Sequence, residues 1–154
     1  MQKSQPPVPK DEPKKASGNK HKVVLDTNIL VSAFLAPGGT PAKILSLVLS
    51  STILTCCNQT ILGEYEEVLS RSKFKSKIAQ ELIHSVLDFL KVAGLSCSVP
   101  ASIFPMKDES DRVFYDVAKA AGAFLVTGNK KHYPDEPFIV TPRSFMDPFV
   151  NHRN

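Results

Sequence analysis

The sequence predicts an α/β protein of three layers, α/β/α, in which a central parallel sheet of about five strands lies between layers of helices. Two observations lead to this prediction. Short apolar, β-branched runs alternate along the chain with longer segments of helical periodicity, as in sheets whose parallel strands are joined by crossover helices. The length of 154 residues, with 42% hydrophobic residues, suits one domain with its own core.

The expected strands are short apolar runs that stop at polar or turn-forming residues. In chain order they cover residues 22–26, 53–56, 95–99, 124–127 and 138–140. The first of them ends abruptly on an acid, Asp26. Open α/β sheets place their chemistry at the carboxyl ends of the strands, so this acid is the first candidate for a functional residue.

The expected helices cover residues 28–35, 41–51, 59–69, 76–92, 110–121 and 142–149. Their ends carry recognisable signals: Thr40 is a candidate N-cap with proline in the first turn, and Thr141 is a candidate cap for the last helix. The helix 76–92 is predicted from an apolar stripe at helical spacing, formed by Ile78, Leu82, Ile83, Val86, Leu87 and Leu90.

Charge and composition divide the chain at its N-terminus. Residues 1–21 are expected to form a disordered basic tail, because this stretch is rich in lysine and proline and almost without apolar side chains, and residues 22–150 are expected to form the domain. The stretch 1–22 accounts for the whole formal net charge of +4, so the domain itself is balanced. Its basic residues are concentrated in two clusters, "cluster 71–77" with Arg71, Lys73, Lys75 and Lys77, and "cluster 130–132" with Lys130, Lys131 and His132.

Some classes of protein are disfavoured. The sequence contains no apolar run as long as a membrane span and no apolar core of a secretory signal, so the expected location is the cytoplasm, without a membrane partner. Cys56, Cys57 and Cys97 are odd in number and lack the spacing of a zinc site. We expect them to be reduced and mostly buried thiols.

Several acids and one amide stand beside the predicted apolar elements or at their ends. Glu64 and Glu66 each border the apolar stripe of the helix 59–69, and periodicity does not choose between them. The fourth predicted strand ends at Thr127. Asn129, two residues later, is either a site residue or only a turn residue. Each residue alone has an ordinary structural explanation.

The segment 108–111 opens another helix. Asp108 or Ser110 can serve as its N-cap, and Asp111 is a first-turn acid that favours the helix dipole. Asp116 lies further along and is expected on the surface. Because parallel strands end at one edge of the sheet, Asp26 and Asp111 can nevertheless share a cleft there with the residue after the fourth strand.

Three other site types fit less well. A haloacid-dehalogenase-like phosphatase needs a second acid two positions after the first, where this chain has Asn28. A phosphoacceptor receiver domain needs acids before the end of the first strand, where Val24 and Leu25 stand. A nucleotide-binding loop needs glycines directly after a strand, and Gly38 and Gly39 follow a helix.

Taken together, four segments resemble the PIN-domain nucleases. They are Leu-Asp-Thr-Asn at 25–28, Glu-Tyr-Glu-Glu-Val-Leu at 64–69, Asp-Glu-Ser-Asp-Arg-Val-Phe-Tyr-Asp-Val-Ala at 108–118 and Leu-Val-Thr-Gly-Asn-Lys-Lys-His at 125–132. They occur in the order of that family, and the resemblance covers essentially all of residues 22–146. The chain is most similar to the branch of toxins from toxin–antitoxin pairs, related to VapC.

The resemblance implies a set of acidic-site residues. Asp26 is similar to the family's first acid, Glu64 to the acid on the third helix, and Asp111 to the third acid. This comparison favours Glu64 over the neighbouring Glu66. Asn129 stands at the fourth site, which is often aspartate in the wider family, and Asp108 is a candidate auxiliary ligand.

The resemblance and the charge pattern also suggest residues that position the substrate. Thr127 matches a threonine of the family, and Asn28 follows the first acid closely, so we expect both to orient carboxylates or substrate. An acidic site repels a nucleic acid unless basic residues bind the flanking phosphates. Cluster 71–77 and cluster 130–132 are the candidates for that contact.

The expected chemistry depends on a cation. Two carboxylates about 4 Å apart repel by roughly 4 kcal/mol at an effective dielectric constant of 20, so a group of acids needs a metal ion or a proton. Oxygen ligands suit Mg²⁺ or Mn²⁺. The resemblance therefore implies a metal-dependent endoribonuclease that cuts single-stranded RNA, with an antitoxin as partner and a homodimeric state. The alternative is a non-catalytic PIN-like module that binds RNA or a protein.

Overall fold

The structure, a computed structural model, describes the backbone of residues 20–153 and the side chains of residues 20–147. The predicted tail, 1–21, therefore lies almost entirely outside the described residues. Five strands form one sheet: β1 (Lys22–Leu25), β2 (Leu54–Cys57), β3 (Leu95–Ser96), β4 (Phe124–Val126) and β5 (Ile139–Val140). The helices are α1 (Thr27–Leu35), α2 (Thr40–Leu49), α3 (Gln59–Leu69), α4 (Ser72–Lys75), α5 (Gln80–Ala93), α6 (Arg112–Ala121) and α7 (Pro142–Arg153).

All strand pairs are parallel, and the order across the sheet is β3-β2-β1-β4-β5. The first strand is thus central, with β2 on one side and β4 on the other. In the register of β1 with β4, Leu25 pairs with Val126, so the residues that follow both strands emerge side by side. The predicted α/β class with a five-stranded parallel sheet is confirmed.

The core is apolar and surrounds the central strands. Val23, Val24 and Leu25 are almost completely buried, as expected for a parallel strand covered on both faces. Helix α6 packs on β1, β2 and β4, and α5 packs on β2. The side chains of Phe114 and Tyr115 from α6 are among the largest that are fully buried.

The predicted helix 76–92 was too long at its start. The chain instead forms the short helix α4 within cluster 71–77, and α5 begins at Gln80. Ile78 is buried between the two helices, whereas Leu82, expected in the apolar stripe, is 50% exposed. The buried stripe consists of Ile83, Val86, Leu87 and Leu90.

The third strand is also shorter than predicted. The Cys97 N–H still donates to the Cys57 carbonyl at 2.9 Å, and the segment that follows is held by side-chain hydrogen bonds. Asn58 Nδ2 donates to the Cys97 carbonyl at 3.1 Å, and the Ser102 N–H donates to Asp116 Oδ2 at 2.9 Å. The side chain of Asn58 also accepts a bond from the Ile61 N–H and caps α3.

The cap predictions had different outcomes. Thr40 is the first residue of α2, and the cap position is occupied by Gly39, which has no side chain for a capping bond. Thr141 caps α7 as predicted, since its Oγ1 accepts the Ser144 N–H at 3.1 Å.

The cysteines are free, in agreement with the prediction. Cys56 and Cys57 are buried and Cys97 is half-buried. Burial raises the pKa of Cys56 to about 11 and also raises the pKa of Cys57, so both remain protonated thiols of low reactivity at neutral pH. No single helix in residues 20–153 is long and apolar enough to cross a membrane, although α1 and α2 pass that test as a pair bent by 101°.

Gly94, directly after α5, lies where its neighbours leave no room for a Cβ atom. A Cβ atom on Gly94 would lie 2.5 Å from the Leu90 carbonyl oxygen and 2.9 Å from Cys57 Sγ. We therefore expect Gly94→Ala to lower the free energy of unfolding by about 1–3 kcal/mol through overpacking. Gly63→Ala is the matched control: it lies within α3 with no atom within 4 Å of its Cβ position, and it should stabilise the protein by about 0.5–1 kcal/mol. Urea denaturation of both variants measures the two effects, and equal changes in stability would contradict the account of Gly94.

Candidate active site

Asp26 is fixed at the carboxyl end of the central strand. Its N–H donates to the Val126 carbonyl at 3.0 Å, which extends the β1–β4 pairing by one residue. Its carboxylate Oδ2 accepts a hydrogen bond from Thr127 Oγ1 at 2.7 Å. Both side chains are buried, with Asp26 7% exposed. The carboxylate is therefore held rigidly by the sheet itself.

Tyr133 completes the surroundings of this carboxylate. Its hydroxyl donates to Asp26 Oδ2 at 3.3 Å, and its side chain is buried. Burial and the negative charges of Asp26 and Asp111 raise the pKa of Tyr133, so the phenol stays protonated and can act only as a donor to the acids. Tyr133 was not among the predicted site residues. The only sequence signal was its position directly after cluster 130–132, at the mouth of the predicted cleft.

Asp111 is the second acid at this site. It ends the 3₁₀ turn Glu109–Asp111, from which α6 begins. Burial, the charge of Asp26 and the charge of Asp108 raise its pKa to about 6, while His132 and Tyr133 act in the opposite direction. Its Oδ2 is buried without a hydrogen-bond partner, and His132 Nδ1 lies 3.7 Å from it. The structure thus brings Asp26 and Asp111 into one electrostatic site.

Asp108 has a structural function at the start of this segment. Its Oδ1 accepts hydrogen bonds from the Ser110 N–H at 3.0 Å and the Ser110 hydroxyl at 2.8 Å, so Asp108 is the cap that the sequence allowed. These bonds hold the pKa of Asp108 below its usual value. Its auxiliary role as a metal ligand stays a prediction.

Asp116 does not lie on the surface, and that prediction was wrong. Only 9% of the residue is exposed, because it faces Arg112 one turn earlier in α6 and accepts the Ser102 N–H. A hydrogen bond and a neighbouring guanidinium reduce the cost of burying a carboxylate. Periodicity alone did not reveal this partner, since Ser102 lies in an irregular segment.

The third helix positions Glu64 and Glu66 differently. Tyr65, between them, is buried and its hydroxyl donates to the Leu25 carbonyl at 2.6 Å, which fixes α3 against the end of β1. Glu64 is half-buried and Glu66 is exposed. Within residues 20–153, no group of three or more His, Cys, Asp or Glu side chains is assembled closely enough to hold a metal ion. The assignment of Glu64 as an acid of the site stays a prediction.

Asn28 and Asn129 are both exposed at the same edge. The Asn129 N–H donates to Thr127 Oγ1 at 3.0 Å, so that hydroxyl joins the loop after β4 to Asp26. Asn129 caps the 3₁₀ turn Lys130–His132 without a side-chain capping bond. The amide of Asn129 is therefore not used to stabilise the turn, and its role as a ligand stays a prediction.

The two basic clusters differ in their relation to the acids. Cluster 130–132 reaches the site through His132, and its two lysines are exposed. In cluster 71–77, Arg71 pairs with Glu67 through bonds of 2.8 and 3.3 Å, and Lys73 lies 5.1 Å from the centre of the Phe74 ring. The predicted contact of these residues with substrate is not tested by these interactions.

The donor set fits a hard divalent cation. Carboxylate oxygens are suitable ligands for Mg²⁺ and Mn²⁺. Asp111 Oδ2 is a buried acceptor without a donor, which is costly unless a positive charge or proton compensates it. Tyr133 and Thr127 both donate to Oδ2 of Asp26, so they leave its Oδ1 unoccupied by these donors.

The raised pKa of Asp111 makes the metal-free protein sensitive to pH. Because the folded state holds this proton up to about pH 6 and the unfolded chain releases it near pH 3.8, stability should fall as the pH rises through this interval. We expect the wild type in EDTA to lose roughly 1 kcal/mol relative to Asp111→Asn between about pH 5 and pH 7. Urea denaturation across this range measures the difference, and parallel curves for the two proteins would contradict it.

Comparison with known proteins shows which family and which fold this chain is similar to. The model of the PIN domain family matches residues 22–131. An uncharacterized protein of Methanocaldococcus jannaschii is 32% identical over 117 residues, which cover 72% of each chain. The structure of VapBC2 from Rickettsia felis, bound to a DNA fragment from their promoter, has a similar fold with a TM-score of 0.53 and 21% identity, over 78% of this chain and 96% of that one. The chain belongs to the PIN domain family.

Proposed function

We propose that this protein is a metal-dependent endoribonuclease that cuts single-stranded RNA. The observation that supports the proposal most strongly is the pair formed by Asp26 and Asp111, two acids in a shared buried setting where one oxygen has no donor. Buried acids with a strongly raised pKa are concentrated at functional sites, because stability alone does not favour them. Membership of the PIN domain family points to the same chemistry, since PIN domains are typically nucleases.

The proposed metal ligands are Asp26, Glu64, Asp111 and Asn129, with Asp108 as an auxiliary ligand. A divalent cation bound there would supply a water that ionises at neutral pH and positive charge beside the scissile phosphate. Thr127 and Tyr133 keep Asp26 oriented, and Asp111 must be ionised to act as a ligand. Asn28 is proposed to contact substrate.

A biological role as the toxin half of a toxin–antitoxin pair rests on similarity in fold. The VapBC2 complex from Rickettsia felis supports a protein antitoxin as the partner of this chain. We also propose a homodimer, and the cytoplasm as the compartment in which RNA would be cut.

Cleavage of a labelled single-stranded RNA tests the proposal directly. We expect cutting in Mn²⁺ or Mg²⁺, none in EDTA, and a loss on the order of 100-fold or more in Asp26→Asn and Asp111→Asn, because each removes a ligand charge. Glu66→Gln is the matched control: it neutralises an exposed acid next to the site and should cut like the wild type.

A melting experiment distinguishes a missing metal site from a damaged fold. Millimolar Mn²⁺ should raise the melting temperature of the wild type and of Glu66→Gln, but not of Asp26→Asn. If Mn²⁺ stabilises the wild type and no RNA is cut, the non-catalytic binding module is the better description. Equal shifts in all three proteins would contradict the metal site.

Cluster 71–77 is proposed to bind phosphates beside the cut. Replacement of Lys73, Lys75 and Lys77 by alanine should weaken RNA binding and lower the magnitude of the slope of log K against log salt by about 2. Each phosphate of a single strand that the protein no longer neutralises reduces this magnitude by roughly 0.7. Lys43→Ala, which removes a charge outside both clusters, should leave the slope nearly unchanged. Fluorescence anisotropy in EDTA measures both, and an unchanged slope in the triple variant would identify the cluster as a solvated surface.

A further inference from the structure

A polar cavity of about 590 Å³ lies outside the acidic site and has no part in the chemistry described so far. Its walls come from the start of α3, the segment after β3 and one face of α6. Six of its lining residues carry the argument: Asn58, Gln59, Ser96, Ser98, Arg112 and Asp116. The volume is within the range of pockets that hold small organic groups.

Arg112 lines this cavity. Its Nε and Nη2 donate to the two carboxylate oxygens of Glu109 at 2.7 Å each, and its Nη1 donates to the carbonyl and hydroxyl oxygens of Ser102 at 2.8 and 3.0 Å. The edge of the guanidinium is thus almost fully occupied, and its side chain is only 14% exposed. The face of the guanidinium remains for a ligand. This face stacks well on nucleobases, but it has no free N–H donors with which to bind a phosphate in the bidentate manner.

Asp116 provides an acceptor next to this face. Its Oδ2 takes the Ser102 N–H, while its Oδ1 accepts no further hydrogen bond from the described residues. The residue is more than nine-tenths buried and lines the cavity. A carboxylate oxygen in this position favours a ligand that carries an N–H₂ group, as in the pairing of acidic side chains with cytosine N4.

The wall of the cavity and the acidic site meet at the start of α6. Arg112 follows Asp111 directly, so the Cα atoms of the wall residue and of the acid are about 3.8 Å apart. Arg112 and Asp116 stand one turn apart on α6, on the face that lines the cavity. A nucleotide beside the cut could turn its base into the cavity while its phosphate stays near the acids.

We propose that this cavity is a base-binding subsite that receives an unstacked RNA base next to the scissile phosphate and prefers a base with an exocyclic amine. The base stacks on the face of Arg112 and donates its amine to Asp116 Oδ1. Gln59 and Ser96, which also line the cavity, border the remaining edge of the base. This subsite rests on the proposed action on RNA and adds a preference within it.

Binding of two RNA decamers in EDTA tests the preference without cleavage. Oligocytidine and oligouridine have equal charge and length, and at ring position 4 cytosine has an amine where uracil has a carbonyl. We expect the full-length wild type to bind oligocytidine about tenfold more tightly, the effect of one hydrogen bond to a charged acceptor. Fluorescence anisotropy measures both constants.

Asp116→Asn is the decisive variant. Because the Ser102 N–H requires an acceptor, the carbonyl oxygen of the substituted amide side chain should accept that bond, and the N–H₂ group of the amide would then face the cavity. The variant should therefore lose the preference for cytosine or reverse it towards uracil, while its salt slope stays that of the wild type. Ser98→Trp should fill part of the cavity and make the affinities for the two decamers about equal. Because Ser98 is exposed, this variant tests the subsite without changing a buried residue.

The outcomes separate this subsite from the proposed nuclease. Equal binding of the two decamers by the wild type, or a cytosine preference that persists in both variants, would overturn the subsite even if RNA is cut as proposed. If the cavity instead receives a side chain of a partner protein, the wild type should also bind the two decamers equally. Failure to bind either decamer would overturn the subsite together with the proposed action on RNA, whereas a cytosine preference without cleavage would retain the subsite and reject the nuclease.

Discussion

The hydrogen bond between Thr127 and Asp26 depends on the parallel pairing of β1 with β4. The register places Leu25 opposite Val126, and the next residue of each strand then emerges at the edge with its side chain towards the other. A hydroxyl and a carboxylate in these positions bond across the edge at 2.7 Å. A slip of one strand by one residue would turn its side chain to the opposite face, away from its partner, and remove the site. The position of the first acid is thus a property of the sheet and not of a flexible loop.

The remainder of the site is electrostatically unfavourable in the absence of positive charge. Asp111 faces Asp26 from the start of α6, and the protein provides only Tyr133 and the imidazole of His132 as nearby compensation among the described residues. A tyrosine hydroxyl stabilises a carboxylate by donating a hydrogen bond but cannot cancel its charge. The fold therefore keeps two acids near each other at this edge, and the apolar core around β1 and α6 compensates the energetic cost.

Much of this arrangement follows from the sequence, for physical reasons. The cleft at the carboxyl edge was predictable, because apolar runs that end on Asp26 and before Thr127 suit buried strands of a parallel sheet. The start of α5 was not predictable, because the buried Ile78 continues the helical spacing of apolar residues through the segment between α4 and α5, which is not helical. Tyr133 was missed and Asp116 was placed wrongly because each depends on a hydrogen bond to a residue outside its own element, across 107 and 14 positions. Patterns of hydrophobicity do not encode such bonds.

The separation of these residues along the chain has a consequence for biosynthesis. Asp26 is among the first residues of the domain to be made, whereas Thr127 and Tyr133, 101 and 107 positions later, are among the last. Because a chain grows from its N-terminus, the first acid exists through most of the synthesis of the domain without the groups that orient it. A ribosome-bound chain that ends before β4 lacks the assembled edge altogether. Whatever this edge does, it begins only after Tyr133 has been made.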